Sequence, residues 1–398
     1  MDTGGGRGFQ ANLPIGGTAD LTPDDQDRAY PLAVRLRLWR NRQIASPRFR
    51  SLLARLPVLR GIANRKANNL FRLTTGFVHT QILSACVHLG LFEALEGTVR
   101  STAALAARCG VPPEHMRHLL DQARRLDLVA SAGPDLWILS DAGTVLAADR
   151  GLREMIRHHD MLYRDIADAA AFWRGEVGDT ELRRYWAYVR GNAPAMMGSA
   201  EVAPYSALMR ESQAMLADCI LTSYDFGQYR SVLDIGGGEG AFLCALGVRH
   251  PDLKLALFDL PAVTELASRH LRMQGILDRA TLHSGDFATD PIPATHDCVT
   301  LIRILCDHDD ERALQILSNL HRHLPPGTSL VVAEAMAGDS EGPNLAALYF
   351  GTYFAAMGSG RCRTALEIID LLAQCGFRDA TASTSTNPLL AGFVTARR

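Results

Sequence analysis

Two short runs in this chain of 398 residues combine side chains that could do chemistry. The first is Asp234-Ile235-Gly236-Gly237-Gly238-Glu239-Gly240, with Asp259 following downstream. Glycines where a strand turns into a helix let the backbone approach a ligand closely, near a helix N-terminus. An acid closing the next strand can accept the hydrogens of both ribose hydroxyls. That is the logic of a nucleotide site. The dinucleotide fingerprint is G-x-G-x-x-G; here Ala241 stands where its last glycine should be, so NAD is the weaker match, and a plain structural turn is the competing reading. The second run is Leu305-Cys306-Asp307-His308-Asp309-Asp310-Glu311, an acidic helix start that carries a histidine. Groups of this kind can accept a proton; a surface histidine at a helix start is the bland alternative.

A sheet must hold these runs. From residue 230, short apolar strands alternate with helices: Ser231–Ile235, Leu255–Phe258, Thr281–His283, Cys298–Leu305, Ser329–Glu334 and Phe393–Ala396. Such alternation predicts an α/β fold, a mostly parallel sheet with helices on both faces. Upstream, Ser101 can cap a helix over Thr102–Arg108, Gly110-Val111-Pro112-Pro113 makes a turn, and Glu114–Leu126 forms a second helix. Leu128–Ala130 and Trp137–Leu139 then read as wing strands around Gly133-Pro134-Asp135. A winged helix suggests DNA, but residues 93–150 hold six basic and eight acidic groups and offer no phosphate neutralisation. Residues 151–228 read as helical and rich in His and aromatic side chains that could wall a pocket, among them His158, His159, Tyr163, Trp173, Tyr185, Trp186, Tyr188 and Tyr205.

Composition narrows the class further. Hydrophobic residues make up 47% and charged residues 21%, an ordinary globular balance. The net charge of −2 hides a split: Arg28 to Phe92 carries twelve Arg or Lys and no acid, which leaves −14 on the rest. The basic stretch mixes Arg with Leu, Trp39, Phe49 and Phe71, and Pro47 and Pro57 divide it into short helical pieces. It reads as a basic amphipathic segment with one apolar face: a solvated face, a nucleic-acid arm, a dimer-wrapping arm or a membrane-surface anchor. Leu73–Phe92 is long enough to span a bilayer and has no formal charge, but its apolar residues form a stripe, which predicts a buried amphipathic helix. The eight cysteines show no C-x-x-C, so neither a zinc nor a thioredoxin-type site is expected, and the cytoplasm is the default compartment.

Taken together, D-x-G-G-G-x-G, Phe258-Asp259-Leu260-Pro261, Gly285-Asp286-Phe287 and the late Gly360, Arg363, Thr364 resemble the S-adenosylmethionine-dependent class I methyltransferases. The closest pattern is that of small-molecule O-methyltransferases with an N-terminal winged-helix dimerisation domain. The resemblance implies a Rossmann-like sheet, a homodimer, S-adenosyl-L-methionine as cofactor, no metal and no nucleic acid. It assigns Asp234, Gly236, Gly238, Asp259, Leu260, Asp286, Phe287 and Arg303 to the cofactor, with Met209 and Ser212 at its methionine end. It places His158, His159, Tyr163, Tyr205, Tyr353 and Met357 around the acceptor. The expected organisation is a leader (1–30), a basic arm (31–75), the dimerisation domain (76–150), a helical connector (151–228) and the catalytic domain (229–398).

The catalytic position departs from that family. Many relatives carry L-H-D-W-x-D-E, whose histidine is the general base; here Cys306 takes the His position and His308 the Trp position. A neutral thiol, with an ordinary pKa near ~8.5, is a poor base. His308, Asp307, Cys306 and the flanking Glu334 are the candidates for the chemistry. Trp39-Arg40-Asn41-Arg42, Ile44-Ala45-Ser46-Pro47-Arg48-Phe49, Phe77-Val78-His79-Thr80-Gln81 and the D-H-D-D run resemble the carotenoid hydroxyl O-methyltransferases of purple bacteria. That subgroup methylates the tertiary 1-hydroxyl of acyclic carotenoids, an alcohol too weakly acidic to be ionised in advance. The resemblance implies a peripheral place on the inner photosynthetic membrane. A polyketide, phenolic or bacteriochlorophyll-type acceptor, or a cofactor-sensing regulator without catalysis, is the alternative.

Overall fold

The computed structural model describes residues 30–49, 51, 57–186 and 215–398. The leader before Tyr30 and the candidates Tyr188, Tyr205, Met209 and Ser212 lie outside the described residues. The chain divides into two compact units, Met1–Gln81 and Ile82–Arg398.

In the first unit, helix α1 (Leu32–Ala45) stops ahead of Pro47 and helix α2 (Pro57–His88), whose residues from Ile82 on belong to the second unit, begins on Pro57. Proline suits the first helical position because its missing N–H has no intrahelical partner there. The short pieces expected after Pro57 are therefore one helix of 32 residues. Helical spacing puts Leu32, Leu36 and Trp39 in one stripe, exposed by 68%, 58% and 60%. Arg35 and Arg42 flank that stripe on one side and Arg40 on the other, while Val34 and Leu38 lie opposite. The arm thus has basic columns between two apolar stripes, not one apolar and one polar face. Burial over Leu73–Phe92 is also confined to the end: Cys86, Val87, Leu91 and Phe92 are buried, but Leu73 and Phe77 are 78% and 68% exposed. Among the described residues no helix is long and apolar enough to cross a membrane.

The second unit opens with α3 (Leu91–Leu95), β1 (Arg100–Ser101), α4 (Thr102–Cys109), α5 (Pro113–Arg125), β2 (Val129–Gly133), β3 (Leu136–Leu139) and α6 (Asp141–Ala148). Ser101 Oγ accepts from Ala104 N at 3.2 Å as the cap of α4, and Gly110, at φ +66°, ends that helix. The three strands pair in the order β1-β3-β2, giving the expected winged helix with one short extra strand. Helices α7 (Arg150–Asp165), α8 (Ala169–Trp173) and α9 (Glu181–Tyr185) follow.

The main sheet comprises β4 (Ser231–Ile235), β5 (Lys254–Asp259), β6 (Ala280–Ser284), β7 (Cys298–Ile302), β8 (Ser329–Glu334), β9 (Arg378–Thr384) and β10 (Gly392–Arg397). Its order is β6-β5-β4-β7-β8-β10-β9, with β10 antiparallel to both neighbours. Helices α10 (Ala241–Arg249), α11 (Pro261–Met273), α12 (Asp310–His323), α13 (Glu341–Met357) and α14 (Ala365–Gln374) complete the unit. This is the Rossmann-like α/β architecture anticipated. All five residues of β4 are buried, with Leu233 and Ile235 in one apolar cluster and Val232 in another, as a strand covered on both faces requires. Two strand readings change. The fourth expected strand ends at Ile302, not Leu305, because Arg303 takes φ +56° and Leu305–Asp307 form a 3₁₀ turn. Strand β9, missed in the sequence, is a polar, mostly exposed edge. The strand order reverses direction between β4 and β7, and such a switch point opens a crevice at the carboxyl ends of the strands.

Candidate active site

The glycine loop leaves β4 at that crevice. Gly236, Gly238 and Gly240 have φ of +69°, +57° and +81°, conformations that side chains resist. A Cβ on Gly236 would overlap Ile304, whereas one on Gly238 would meet nothing within 4 Å. The loop is therefore packed on one side and open on the other. Gly238 N donates to Asp259 Oδ2 at 2.8 Å and Leu260 N to Asp259 Oδ1 at 2.7 Å. Each carboxylate oxygen keeps a further lone pair for a ligand. Burial pushes Asp259 up to about 6, against the pull of the two N–H groups. Asp234 is buried more deeply: Thr300 Oγ1 donates to it at 2.6 Å, and it lies under Gly237, supporting the loop from behind.

The next two strand ends add a flat wall. Asp286 receives Arg312 Nη2 on both oxygens at 3.1 and 3.0 Å, and Ala288 N on Oδ1 at 2.9 Å, so its carboxylate is largely committed to the protein. Phe287 packs against the His308 ring edge-on, with centroids 6.0 Å apart. An open glycine face, a carboxylate with spare lone pairs and an aromatic wall fit a nucleoside-containing cofactor.

Beyond β7 the four chemistry candidates separate. Cys306 N donates to Glu334 Oε2 at 3.0 Å, and Cys306 Sγ donates to Asp307 Oδ1 at 3.6 Å. Burial, then the charges of Glu334 and Asp307, push the thiol well above its ordinary range, so it stays protonated. Glu334 is fully buried and pushed up to about 7 by burial, and its Oε1 has no hydrogen-bond partner among the described residues. Burial drops His308 to about 4 and keeps its ring neutral. Burial raises Asp307 to about 6, while the Arg303 charge opposes the rise.

Asp307 and Arg303 line a cavity of about 90 Å³ with His158, Tyr349, Tyr353 and Trp186. Asp149 adds a second carboxylate to the lining, and the rest of the wall is mostly apolar, including Leu152, Met155, Phe350 and Phe354. His158 Nε2 and Tyr353 Oη are 2.6 Å apart, and Trp186 Nε1 donates to the same oxygen at 2.8 Å. Burial drops His158 to about 4, so this cluster is neutral. Three residues expected on the wall are elsewhere. His159, one helical step round α7 from His158, lies behind Tyr349 at 2.8 Å. Met357 is fully buried among Leu182, Trp186 and Tyr353, and Tyr163 is absent from the lining. Sequence reasoning missed Tyr349, Phe350 and Phe354; the spacing Tyr349-Phe350-x-x-Tyr353-Phe354 puts all four aromatics on one side of α13 and was the available signal. A larger groove of about 1470 Å³ lies at the amino ends of the strands, lined by Arg230, Lys254, Asp278 and His296, and holds none of the motif residues. Among the described residues no group of three His, Cys, Asp or Glu could hold a metal ion.

Comparison with known proteins identifies the family. The O-methyltransferase domain family matches residues 163–378, and the O-methyltransferase dimerisation domain family matches residues 71–149. The demethylspheroidene O-methyltransferase of Cereibacter sphaeroides is 39% identical over 90% of this chain and 94% of that protein. Its namesake in Rhodobacter capsulatus is 37% identical over 89% of this chain and 88% of that protein. The structure of human N-acetylserotonin methyltransferase in complex with SAM superposes with a TM-score of 0.68 at 24% identity, covering 84% of this chain and 97% of that one, a likeness of fold.

Proposed function

This chain belongs to the S-adenosylmethionine-dependent O-methyltransferases, and from that premise we propose that it methylates the hydroxyl at one end of a long apolar acceptor, the tertiary 1-hydroxyl of an acyclic carotenoid. The observation that carries this reading is the cavity: mostly apolar walls around Asp307, Asp149, Arg303 and the His158–Tyr353 pair. About 90 Å³ is room for a few heavy atoms, the hydroxyl-bearing end and not the whole molecule. Two relatives at 39% and 37% identity carry the demethylspheroidene name, which supports the same acceptor class.

When bound, S-adenosylmethionine supplies an electrophilic methyl group. The chain's residues do the rest. Asp259 would accept hydrogen bonds from the ribose hydroxyls, the open side of Gly238 would leave room for the cofactor, and Phe287 and His308 would hold its base. The cavity aligns the acceptor oxygen and excludes water, which supplies much of the rate in a reaction of this kind. A tertiary alcohol loses its proton late, and Asp307 takes it. Arg303 favours the charged form of Asp307, so this carboxylate is ionised at neutral pH. None of the other three candidates suits that role: the Cys306 thiol keeps its proton, the His308 ring faces Phe287, and Glu334 is fully buried under Cys306 N and outside the cavity lining.

A match to the family's dimerisation domain supports a homodimer. An acceptor of this class would bring the enzyme to a membrane surface on the cytoplasmic side, and the arm supports this reading: exposed Leu32, Leu36 and Trp39 lie among Arg35, Arg40 and Arg42. Basic residues near anionic lipid contribute ~1 kcal/mol each. The deciding test is mass analysis of products after incubation with isotopically labelled cofactor, 1-hydroxylated acyclic carotenoids and a panel of phenols. Labelled methyl ether on the carotenoid is expected; transfer to a phenol with none to the carotenoid would overturn the assignment.

A further inference from the structure

The turn that carries Asp307 is held almost entirely by one other segment. Four successive carbonyls, from Leu305 to His308, each accept a hydrogen bond from Ser359–Arg363. Leu305 O takes Arg363 Nη1 at 2.6 Å, and Cys306 O takes Arg361 N at 2.9 Å. Asp307 O takes Ser359 Oγ at 3.2 Å, and His308 O takes Arg363 Nη2 at 2.9 Å. Gly360, at φ +83°, lies so close that a Cβ there would overlap Cys306 O and crowd the Asp307 backbone. Arg363 has no solvent exposure, and its charge is balanced by Asp310, whose Oδ1 accepts Nε at 2.9 Å and Nη2 at 2.7 Å. The same segment continues directly from α13, which supplies Tyr349 and Tyr353 to the acceptor cavity.

We propose that Ser359–Arg363 is the positioning clamp of the catalytic turn, with Arg363 as its main positioning residue: it fixes the backbone of Leu305–His308 so that the Asp307 carboxylate points into the acceptor cavity. The proposal rests on Asp307 as the proton acceptor. It also gives position 306 a job that its side chain does not do. The Cys306 N–H is held by Glu334 and its carbonyl by Arg361, so the backbone at this residue is pinned from both sides.

The test is made on the full-length enzyme with whichever acceptor of the product panel the wild type turns over. Ser359→Ala, Gly360→Ala, Arg363→Lys and Asp307→Asn are compared for kcat, acceptor KM, cofactor Kd by calorimetry and the pH profile of kcat/KM. Displacing a catalytic group by about 1 Å costs roughly 10²-fold in rate, the loss expected for Gly360→Ala, and deleting one neutral hydrogen bond in Ser359→Ala costs about fivefold. Cofactor Kd is expected to stay at the wild-type value in both, and the acid limb of the profile to move, because Asp307 shifts relative to Arg303. If Gly360→Ala or Arg363→Lys fails to fold, Ser359→Ala alone decides. Unchanged kcat in folded Ser359→Ala, or cofactor affinity falling in step with kcat, would overturn the clamp. Full turnover in Asp307→Asn would instead overturn the proton-acceptor assignment. Loss of turnover in Asp307→Asn with wild-type behaviour in the clamp variants would leave that assignment standing and remove the clamp.

Discussion

Asp307 and His308 are consecutive residues that serve different spaces: Asp307 lines the acceptor cavity, whereas the His308 ring packs edge-on against Phe287, 6.0 Å between centroids. The 3₁₀ turn ends between them, since His308 is already extended at φ −118°, ψ 151°. The change of backbone conformation from the turn to an extended residue sends the two side chains to different spaces. The two candidates for one role therefore divide into an acceptor-side group and a cofactor-side group.

That division is measurable. Asp307→Asn is expected to lower kcat by about 10²-fold, the low end for removing a general base, with cofactor KM unchanged. His308→Ala is expected to raise cofactor KM and leave acceptor KM alone. Steady-state kinetics with each substrate varied in turn separates the two.

The pH profile should follow Asp307. Its carboxyl is raised to about 6 by burial, and only the deprotonated form accepts a proton, so activity falls as pH drops through about 6. Arg303 opposes that rise. Arg303→Met is thus expected to move the acid limb of kcat/KM to higher pH.

Cys306→Ala should keep its turnover. The thiol is held protonated by burial beside two carboxyl groups, and its role is steric. The expected cost is stability, about 1 kcal/mol for the lost buried sulfur, seen as a lower Tm in a melting experiment.

Asp259→Ala should weaken cofactor binding by about 10- to 10²-fold, the value of hydrogen bonds to a charged acceptor. Gly238 N and Leu260 N lose their acceptor in the same variant. Calorimetric titration with S-adenosylhomocysteine checks this without needing the acceptor.

Replacing Arg35, Arg37, Arg40 and Arg42 by Gln in the full chain is expected to reduce sedimentation with anionic vesicles at least about tenfold. Raising the salt concentration should reduce wild-type binding in the same direction. Equal binding of wild type and variant would show that the arm serves another purpose, with loss of the dimer on gel filtration pointing to the partner subunit.

What could be read from the sequence was local. The glycine loop, Asp259 and the Ser101 cap follow from contacts a few residues apart, or from one strand to the next, and each is where spacing put it. The winged helix was legible because turn residues and apolar periodicity agreed over Thr102–Leu139. Long-range relations were not legible. Nothing near Arg303 signals its left-handed backbone, which ends β7 early and turns the side chain to the cavity. Met357 looked like a wall residue but is buried against Trp186, a partner far away in the chain. Strand β9 lacked an apolar face because it forms the sheet edge. The arm misled for another reason: with apolar residues on two sides, its composition suggested a single face that the helix does not have.

Glu334 carries a consequence for how acceptor range could change. Its fully buried Oε1 has no partner among the described residues, while Oε2 anchors the backbone of position 306. The family resemblance implies a histidine at that position in many relatives, flanked by a glutamate at the position of Glu334. An imidazole introduced by Cys306→His would find its orienting carboxylate already present and the backbone beneath it already fixed. A base suited to acidic hydroxyls thus stands one substitution away, and because Cys306 is buried in a packed cluster the larger ring has to displace its neighbours.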